Sequence, residues 1–195
     1  MGSLAQVVGS GRNLCTIGFD DAPFERRAGA PVQVAGVVCS GTRFEGLLWG
    51  HTTKDGTDAT EVLAEMLVGS KFAPQLHLVL CDGVTVGGLN VIDLITLHEA
   101  TSLPCVSVMR RLPDLQAIRR VVQRLPDPEL RWHRIQRAGT VHQLGGFTFQ
   151  VVGAEVEDVA TALSSLTDRG RVPEPLRLAH LIGSAVVRGE SSNRA

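Results

Sequence analysis

The chain has 195 residues, a formal charge of -1 and a hydrophobic content of 44%. This length suits one domain, which we take as residues 1–195 with loose termini at about 1–10 and 189–195. The nearly neutral charge argues against wholesale wrapping of nucleic acid. No segment approaches the roughly 18 apolar residues that a membrane span needs, and no secretory signal is visible, so we expect a cytoplasmic protein.

Three strand-like segments come first, and the turn Ser40-Gly41-Thr42 predicts that the second and third form an antiparallel hairpin. A helix is predicted after Asp58, and Glu61 completes a capping-box pattern at its start. These first three predicted strands cover residues 13–20, 31–40 and 43–53.

Strands and helices then alternate, which predicts parallel pairing and a sheet covered by helices on both faces. Residues 126–146 are strongly polar and are predicted to form polar strands or a hairpin outside the core. The other predicted elements are strands at 76–83, 103–109 and 147–153, and helices at 90–100, 113–125, 156–166 and 173–187.

Acidic residues end two of the apolar strand-like segments. The segment LCTIGFDD ends in Asp20 and Asp21, and the segment LHLVLCDG contains Asp82 near its end. A solvated turn explains either position alone, because a buried charge is costly without compensation. If the two strands are neighbours, however, the acids would share one cleft and could hold a divalent cation. Asp21 is the alternative to Asp20, because successive residues of a strand point to opposite faces.

Several longer motifs resemble a known protein family. The segments IGFDDAPF, DGTDAT, LCDGVTVGGLNVIDL, LPCVSVMRR and VPEPLRLAHLI resemble the archaeal family known as domain of unknown function 99 over nearly the whole chain. Through that family the chain more distantly resembles endonuclease V, a metal-dependent nuclease that cuts beside deaminated bases. The resemblance implies an α/β, ribonuclease H-like fold whose first three strands are antiparallel, with parallel strands after them.

The resemblance to endonuclease V also implies roles for individual residues. Asp20 stands in the Gly-x-Asp frame of the catalytic aspartate, and Asp82 stands in the Asp-Gly pair of the fourth strand. Arg110 takes the place of a lysine that follows the next strand. His180 follows the segment PEPLRLA, at the position of a His or Asp of the acidic site. These matches imply that Asp20, Asp82 and His180 contact Mg²⁺ or Mn²⁺ and that Arg110 holds phosphate.

The sequence departs from endonuclease V at two places. The second catalytic acid is not matched in its usual segment, so Asp58 or Asp55 is expected to replace it as a metal ligand. For Asp58 the alternative is a helix cap. The Pro-Tyr-Ile-Pro wedge that helps endonuclease V to read its lesion is absent, which weakens the expectation of inosine specificity.

Two segments are candidates for substrate binding. Basic residues cluster between 110 and 137, where Arg111 suits phosphate contacts and Trp132 could stack on a base. The loop at 83–90 follows Asp82, and its Gly87 and Gly88 permit close approach of the backbone to a base turned out of the stack. Asn90 could read the base edge. The alternatives are a solvated helix face for the arginines and a helix cap for Asn90.

These features predict a Mg²⁺- or Mn²⁺-dependent hydrolase, an endonuclease of DNA repair. It would cleave nucleic acid, with DNA favoured and RNA as the alternative, at or next to a deaminated base, either deoxyuridine or deoxyinosine. Two alternatives remain open: a structure-selective nuclease that cuts junctions, and a nucleic-acid-binding protein without catalysis. The sequence leaves the oligomeric state open.

Overall fold

The computed structural model describes residues 3–192. Seven strands form one sheet, and two short strands form a separate pair. The strands are β1 (Cys15–Asp21), β2 (Pro31–Ser40), β3 (Arg43–Thr53), β4 (Leu78–Asp82), β5 (Thr85–Val86), β6 (Asn90–Val91), β7 (Cys105–Met109), β8 (His142–Leu144) and β9 (Phe147–Val152). The α-helices are α1 (Leu4–Gly9), α2 (Ala59–Val68), α3 (Leu94–Thr101), α4 (Leu115–Val122), α5 (Pro128–Arg137), α6 (Val156–Ser165) and α7 (Glu174–Arg188).

The large sheet has the order β3-β2-β1-β4-β7-β9-β8, which confirms the predicted ribonuclease H-like α/β class. Strands β1, β2 and β3 are antiparallel, and β1, β4 and β7 are parallel. The prediction of parallel pairing was wrong for β9, which runs antiparallel to β7 and forms a hairpin with β8. Gly145 and Gly146, both with positive φ, connect the two strands of this hairpin.

Helices cover both faces of the sheet, as predicted. Helices α2 and α3 cover the face that carries Ile17 and Phe19 of β1. Helix α7 lies against the opposite face of β1, next to Gly18, where an added Cβ would lie 2.6 Å from the backbone carbonyl carbon of Pro175. Only a glycine therefore allows α7 to approach the strand this closely.

The prediction for the polar segment at 126–146 was wrong for Pro128–Arg137, which forms helix α5, but right for a hairpin, because β8 (His142–Leu144) pairs with β9. Pro128 occupies the first turn, where proline suits a helix, and Arg131 and Ile135 form its buried face. A buried arginine at that position hides the apolar periodicity by which such a helix is recognised in a sequence. The helix predicted over 90–100 begins only at Leu94, and the side chain of Asp93 caps it.

Of the amino-terminal residues expected to be loose, 1–2 lie outside the described residues, and Leu4–Gly9 form α1 instead. Leu4 and Val7 are buried, and Ser3 and Gln6 form a capping box at the start of the helix. The capping box expected at Asp58 and Glu61 is absent, because the Asp58 side chain makes no cap hydrogen bond. Of the tail expected to be loose, residues 193–195 lie outside the described residues. Within residues 3–192, no helix is long and apolar enough to cross a membrane.

Candidate active site

Asp20 and Asp82 lie side by side at the carboxyl ends of two adjacent parallel strands. The register of β1 and β4 pairs Phe19 with Cys81, so the next step along both strands brings Asp20 beside Asp82. Residues paired across neighbouring strands point to the same face of a sheet. Both acids therefore lie on the face that carries Gly18 and packs against α7.

His180 joins this site from helix α7. Its Nδ1 atom lies 2.9 Å from Oδ2 of Asp20, within hydrogen-bond distance. The close approach at Gly18 fixes the start of α7 against β1. A bidentate ion pair between Arg177 and the buried Glu174, with two contacts of 2.8 Å, orders the first turn of the same helix. The segment PEPLRLAH thus positions His180 next to Asp20.

Arg110 reaches the site from the end of the neighbouring parallel strand. It follows β7 directly, and its Nη2 atom lies 3.7 Å from Oδ2 of Asp82. About half of its side chain is exposed, so the guanidinium can contact a ligand from solvent as well as the carboxylate. The structure thus brings together the four residues that the sequence placed at the catalytic centre.

The acids repel one another in a poorly hydrated place. Burial raises the pKa of Asp20 to about 8, and the negative charges of Asp82 and Asp21 add to the increase. Burial also raises the pKa of Asp82, although Arg110 and His180 oppose this effect. Adjacent carboxylates of this kind are tolerated when a proton or a cation offsets the charge.

The donors at this site suit a hard cation such as Mg²⁺ or Mn²⁺. Within residues 3–192, no group of three or more His, Cys, Asp or Glu side chains is arranged to hold a metal ion. Mg²⁺, however, commonly takes only one or two carboxylates and fills its other positions with water and substrate phosphate. Asp20 and Asp82 therefore fit a cation that substrate and water would complete, and their mutual repulsion favours its entry.

Asp21 faces the other side of β1 and contacts the loop after β4. Its Oδ2 atom accepts a hydrogen bond of 2.6 Å from the backbone nitrogen of Gly87. Gly87 and Gly88 both have positive φ, and a Cβ on Gly88 would lie 2.5 Å from Oδ1 of Asp55. The two glycines therefore let the loop fit closely between Asp21 and Asp55.

The two candidates for a second metal-binding acid lie in different surroundings. Asp58 accepts hydrogen bonds from Thr52, Thr53 and Asn90, which use both of its carboxylate oxygens. Burial alone would raise its pKa, but these hydrogen bonds outweigh that effect and lower it. Asp55 pairs with Lys54 and accepts a hydrogen bond of 2.9 Å from the backbone nitrogen of Leu89.

The expectation that Asn90 reads a base disagrees with its position. Asn90 is fully buried. Its Oδ1 atom accepts a hydrogen bond from the backbone nitrogen of Ala59, and its amide donates to Thr52, Thr53 and Asp58. It therefore fastens the short strand β6 to the start of α2 and has no polar group left for a ligand. It also does not cap the next helix, which Asp93 caps.

Part of the basic cluster between 110 and 137 serves the fold. Arg131 is 2% exposed and donates hydrogen bonds to the backbone oxygens of residues 55, 56, 89 and 126. Arg137 pairs with Asp93 at 3.1 Å. Trp132 is half-buried, and Arg119 stacks on its ring at 5.2 Å, which joins α4 to α5. Sequence reasoning missed the anchoring role of Arg131, for which the sequence carries no visible signal.

The sheet order, with helices on both faces, defines a ribonuclease H-like fold similar to that of endonuclease V. The chain belongs to the Endonuclease dU family, whose model matches residues 12–187. A UPF0215 protein of Methanothermobacter thermautotrophicus is 40% identical over 92% of this chain and 90% of its own. A UPF0215 protein of Deinococcus radiodurans is 37% identical, with 91% of each chain covered.

Solved structures show the same fold. A protein of unknown function from Archaeoglobus fulgidus superposes with a TM-score of 0.85 at 33% identity, covering 90% of this chain and 99% of that one. Human endonuclease V gives a TM-score of 0.57 at 15% identity, covering 97% and 90%. Endonuclease V of Ciona intestinalis, solved with a 24mer DNA containing an inosine, gives 0.54 at 14% identity, covering 87% and 83%. The similarity to the endonucleases V shows a shared fold.

Proposed function

We propose that this protein is a metal-dependent endonuclease that hydrolyses a DNA phosphodiester at or next to a deaminated base. The observation that carries the proposal is the pairing of Asp20 with Asp82 on one face of the sheet, with His180 and Arg110 in contact with them. Phosphodiester hydrolysis needs a centre that binds anionic oxygens and a group that accepts and donates protons. This site provides both at the end of the parallel strands.

Each of the four residues has a role in this proposal. Asp20 and Asp82 would hold Mg²⁺ or Mn²⁺, which supplies Lewis acidity and lowers the pKa of bound water. Arg110 presents a guanidinium that can bind the scissile phosphate while it keeps its contact with Asp82. His180 orients the Asp20 carboxylate and can accept or return a proton there.

Of Asp55 and Asp58, Asp55 is the better candidate for the second metal-binding acid. The hydrogen bonds of Asp58 occupy its oxygens, whereas Asp55 contacts the loop that follows Asp82. Its other partner, Lys54, is its neighbour in sequence. We therefore assign the supporting acid to Asp55 and a structural role to Asp58.

Deoxyuridine is the lesion we favour, with DNA as the substrate. The family to which the chain belongs is described as Endonuclease dU, and the wedge sequence of endonuclease V is absent. The loop at 83–90 begins directly after Asp82, and an added Cβ on its Gly83 would meet no atom within 4 Å, whereas Gly87 is buried and bonded to Asp21. A base turned out of the duplex could lie beside Gly83, and a damaged base is the least costly to turn out.

Cleavage of defined oligonucleotides tests this function. Duplexes with one deoxyuridine, one deoxyinosine or no lesion are incubated with the protein in Mg²⁺ or Mn²⁺, beside a four-way junction and a matching RNA. We expect cleavage beside deoxyuridine, dependent on the metal and abolished by Asp82→Asn. Cleavage of the junction alone would support a structure-selective nuclease instead. Binding without metal-dependent cleavage would show that the protein binds nucleic acid without catalysis.

A further inference from the structure

A groove begins at the candidate active site and extends toward the β8–β9 hairpin. It has a volume of about 770 Å³, and Arg110 belongs both to the groove and to the site. Its polar wall is formed by Arg110, Arg111, Arg171, Gln143 and Thr148. We call this surface the arginine groove. A ligand held at Arg110 can therefore continue into the groove without leaving the protein surface.

The arginine groove carries positive charge that the chain itself does not neutralise. Three arginines line it, and among the described residues no acid does. Within residues 3–192, neither Arg111 nor Arg171 forms a hydrogen bond or ion pair with another residue. Unpaired arginines gathered along one groove of a nearly neutral chain are typical of a surface that binds phosphates.

Other arginines of this chain contrast with those of the groove. Arg131 and Arg134 donate to backbone oxygens, and Arg137 and Arg177 form ion pairs with Asp93 and Glu174. Those four side chains are committed to the fold. The arginines of the groove are exposed and keep all or most of their donors for a ligand.

The other walls of the groove suit a polynucleotide backbone. Gly145 and Gly146 of the β8–β9 turn lack side chains, so a backbone can approach closely there. Leu112 and Leu144 provide exposed apolar surface on which sugars can pack. A positively charged groove that also offers apolar contacts suits the backbone of a single strand.

We infer that the arginine groove binds the phosphates of the DNA strand on one side of the cleaved bond and that Arg171 is a positioning residue for them. The inference rests on the proposed function for the identity of the ligand. It adds a residue outside the catalytic site that would set affinity for nucleic acid of any sequence. Contacts to phosphate position a protein on its substrate and carry no direct sequence information.

Fluorescence anisotropy with the full chain tests this inference. A labelled oligonucleotide, either a single strand or a duplex with or without deoxyuridine, is titrated in metal-free buffer at several salt concentrations. Arg171→Ala is expected to weaken binding of all these oligonucleotides severalfold. It should reduce the slope of log K against log salt by about 0.7 for the single strand and 0.9 for the duplex. Arg171→Glu should weaken binding more, and Arg171→Lys should restore most of it.

The matched control is Arg12→Ala. Arg12 is an exposed arginine before β1, at the end of the strand opposite the acids, and we expect wild-type affinity and salt slope. Melting temperatures of all variants should equal that of the wild type, because within residues 3–192 Arg171 makes no hydrogen bond or ion pair and Arg12 makes one exposed hydrogen bond, to Ser10. Wild-type affinity and slope in both Arg171→Ala and Arg171→Glu would overturn the inference.

Failure of this inference can be told apart from failure of the proposed function. If the wild type cleaves beside deoxyuridine but Arg171→Ala binds and depends on salt as the wild type does, only the groove assignment is wrong. If the wild type does not cleave, yet Arg171→Ala loses binding and salt slope, the groove binds nucleic acid and the endonuclease proposal fails.

Discussion

Asp20 and Asp82 end adjacent parallel strands in matching register, so their carboxylates lie on one face of the sheet. This relationship follows from the pairing of the strands rather than from any flexible loop. Rigid strands keep such groups in place without a large cost in entropy when a ligand binds. The pair is therefore suited to hold an ion in a fixed position relative to His180 and Arg110.

Substitution of either acid should abolish cleavage and preserve the fold. We expect Asp20→Asn and Asp82→Asn to reduce the single-turnover rate at least about 100-fold, which corresponds to about 2.7 kcal/mol of transition-state stabilisation. In metal-free buffer their melting temperatures should equal or exceed that of the wild type, because a repulsive charge is removed. Glu65→Gln, at an exposed position on α2, serves as the control. A wild-type rate in either site variant would remove that acid from the mechanism.

The stability of the metal-free protein should fall as the pH rises from about 4 to about 8. The pKa of Asp20 lies near 8 in the folded chain, above its ordinary value, because of burial and then the charges of Asp82 and Asp21. The folded state therefore holds a proton that the unfolded state releases in this window. The free energy of unfolding should fall by up to about 1.4 kcal/mol per pH unit. Urea denaturation at several pH values measures it.

Asp20→Asn provides the control for this pH dependence, because the amide does not titrate. Its free energy of unfolding should vary less with pH over the same window than that of the wild type. An equal decline in both proteins would show that Asp20 does not hold the proton.

Loss of the His180 side chain should slow the reaction more than it weakens binding. His180→Ala removes the 2.9 Å contact to Asp20 and the group that can exchange a proton there. General acid–base groups commonly contribute about 10²- to 10⁴-fold, so we expect a drop of that order in kcat with little change in KM. His51→Ala, at an exposed position on β3, should behave as the wild type. A change confined to KM would assign His180 to binding alone.

Asn90 should matter for stability and not for base recognition. Asn90→Ala leaves the backbone nitrogen of Ala59 without its acceptor and removes one of the hydrogen bonds that Asp58 accepts. Each buried group left unpaired costs about 1–3 kcal/mol, which urea denaturation can measure. The ratio of cleavage rates at deoxyuridine and deoxyinosine should remain unchanged. Asn13→Ala, at an exposed position, is the control. A changed ratio of cleavage rates in Asn90→Ala would show that Asn90 takes part in base recognition.

The sequence predicted most strands and the proximity of the candidate catalytic residues. Apolar runs that end in Asp20 and Asp82 carry a local signal, and the chain order of the elements places those strands side by side. The helix at Pro128–Arg137 carried no such signal, because Arg131 takes a position where an apolar residue would reveal the buried face. Its guanidinium is satisfied by backbone oxygens from distant loops, and these contacts exist only in the folded chain.

The roles of individual polar residues were harder to predict than the elements. Asn90 and Asp58 have residue types that suit ligand binding, yet they satisfy each other inside the fold. Arg171 lies in a short connection before α7 and shows its environment only when the β8–β9 hairpin packs beside it. A polar side chain reveals by its type what it can bind, but only tertiary contacts decide whether its groups are free.

Binding of Mn²⁺ tests the central claim most directly, because the claim is that Asp20 and Asp82 hold one ion together. Electron paramagnetic resonance can measure free Mn²⁺ during titration of the wild type, Asp20→Asn, Asp82→Asn and the control Glu65→Gln. We predict saturable binding to the wild type and to the control, and its loss in each of the two site variants. Wild-type binding in either Asp20→Asn or Asp82→Asn would contradict a shared metal centre.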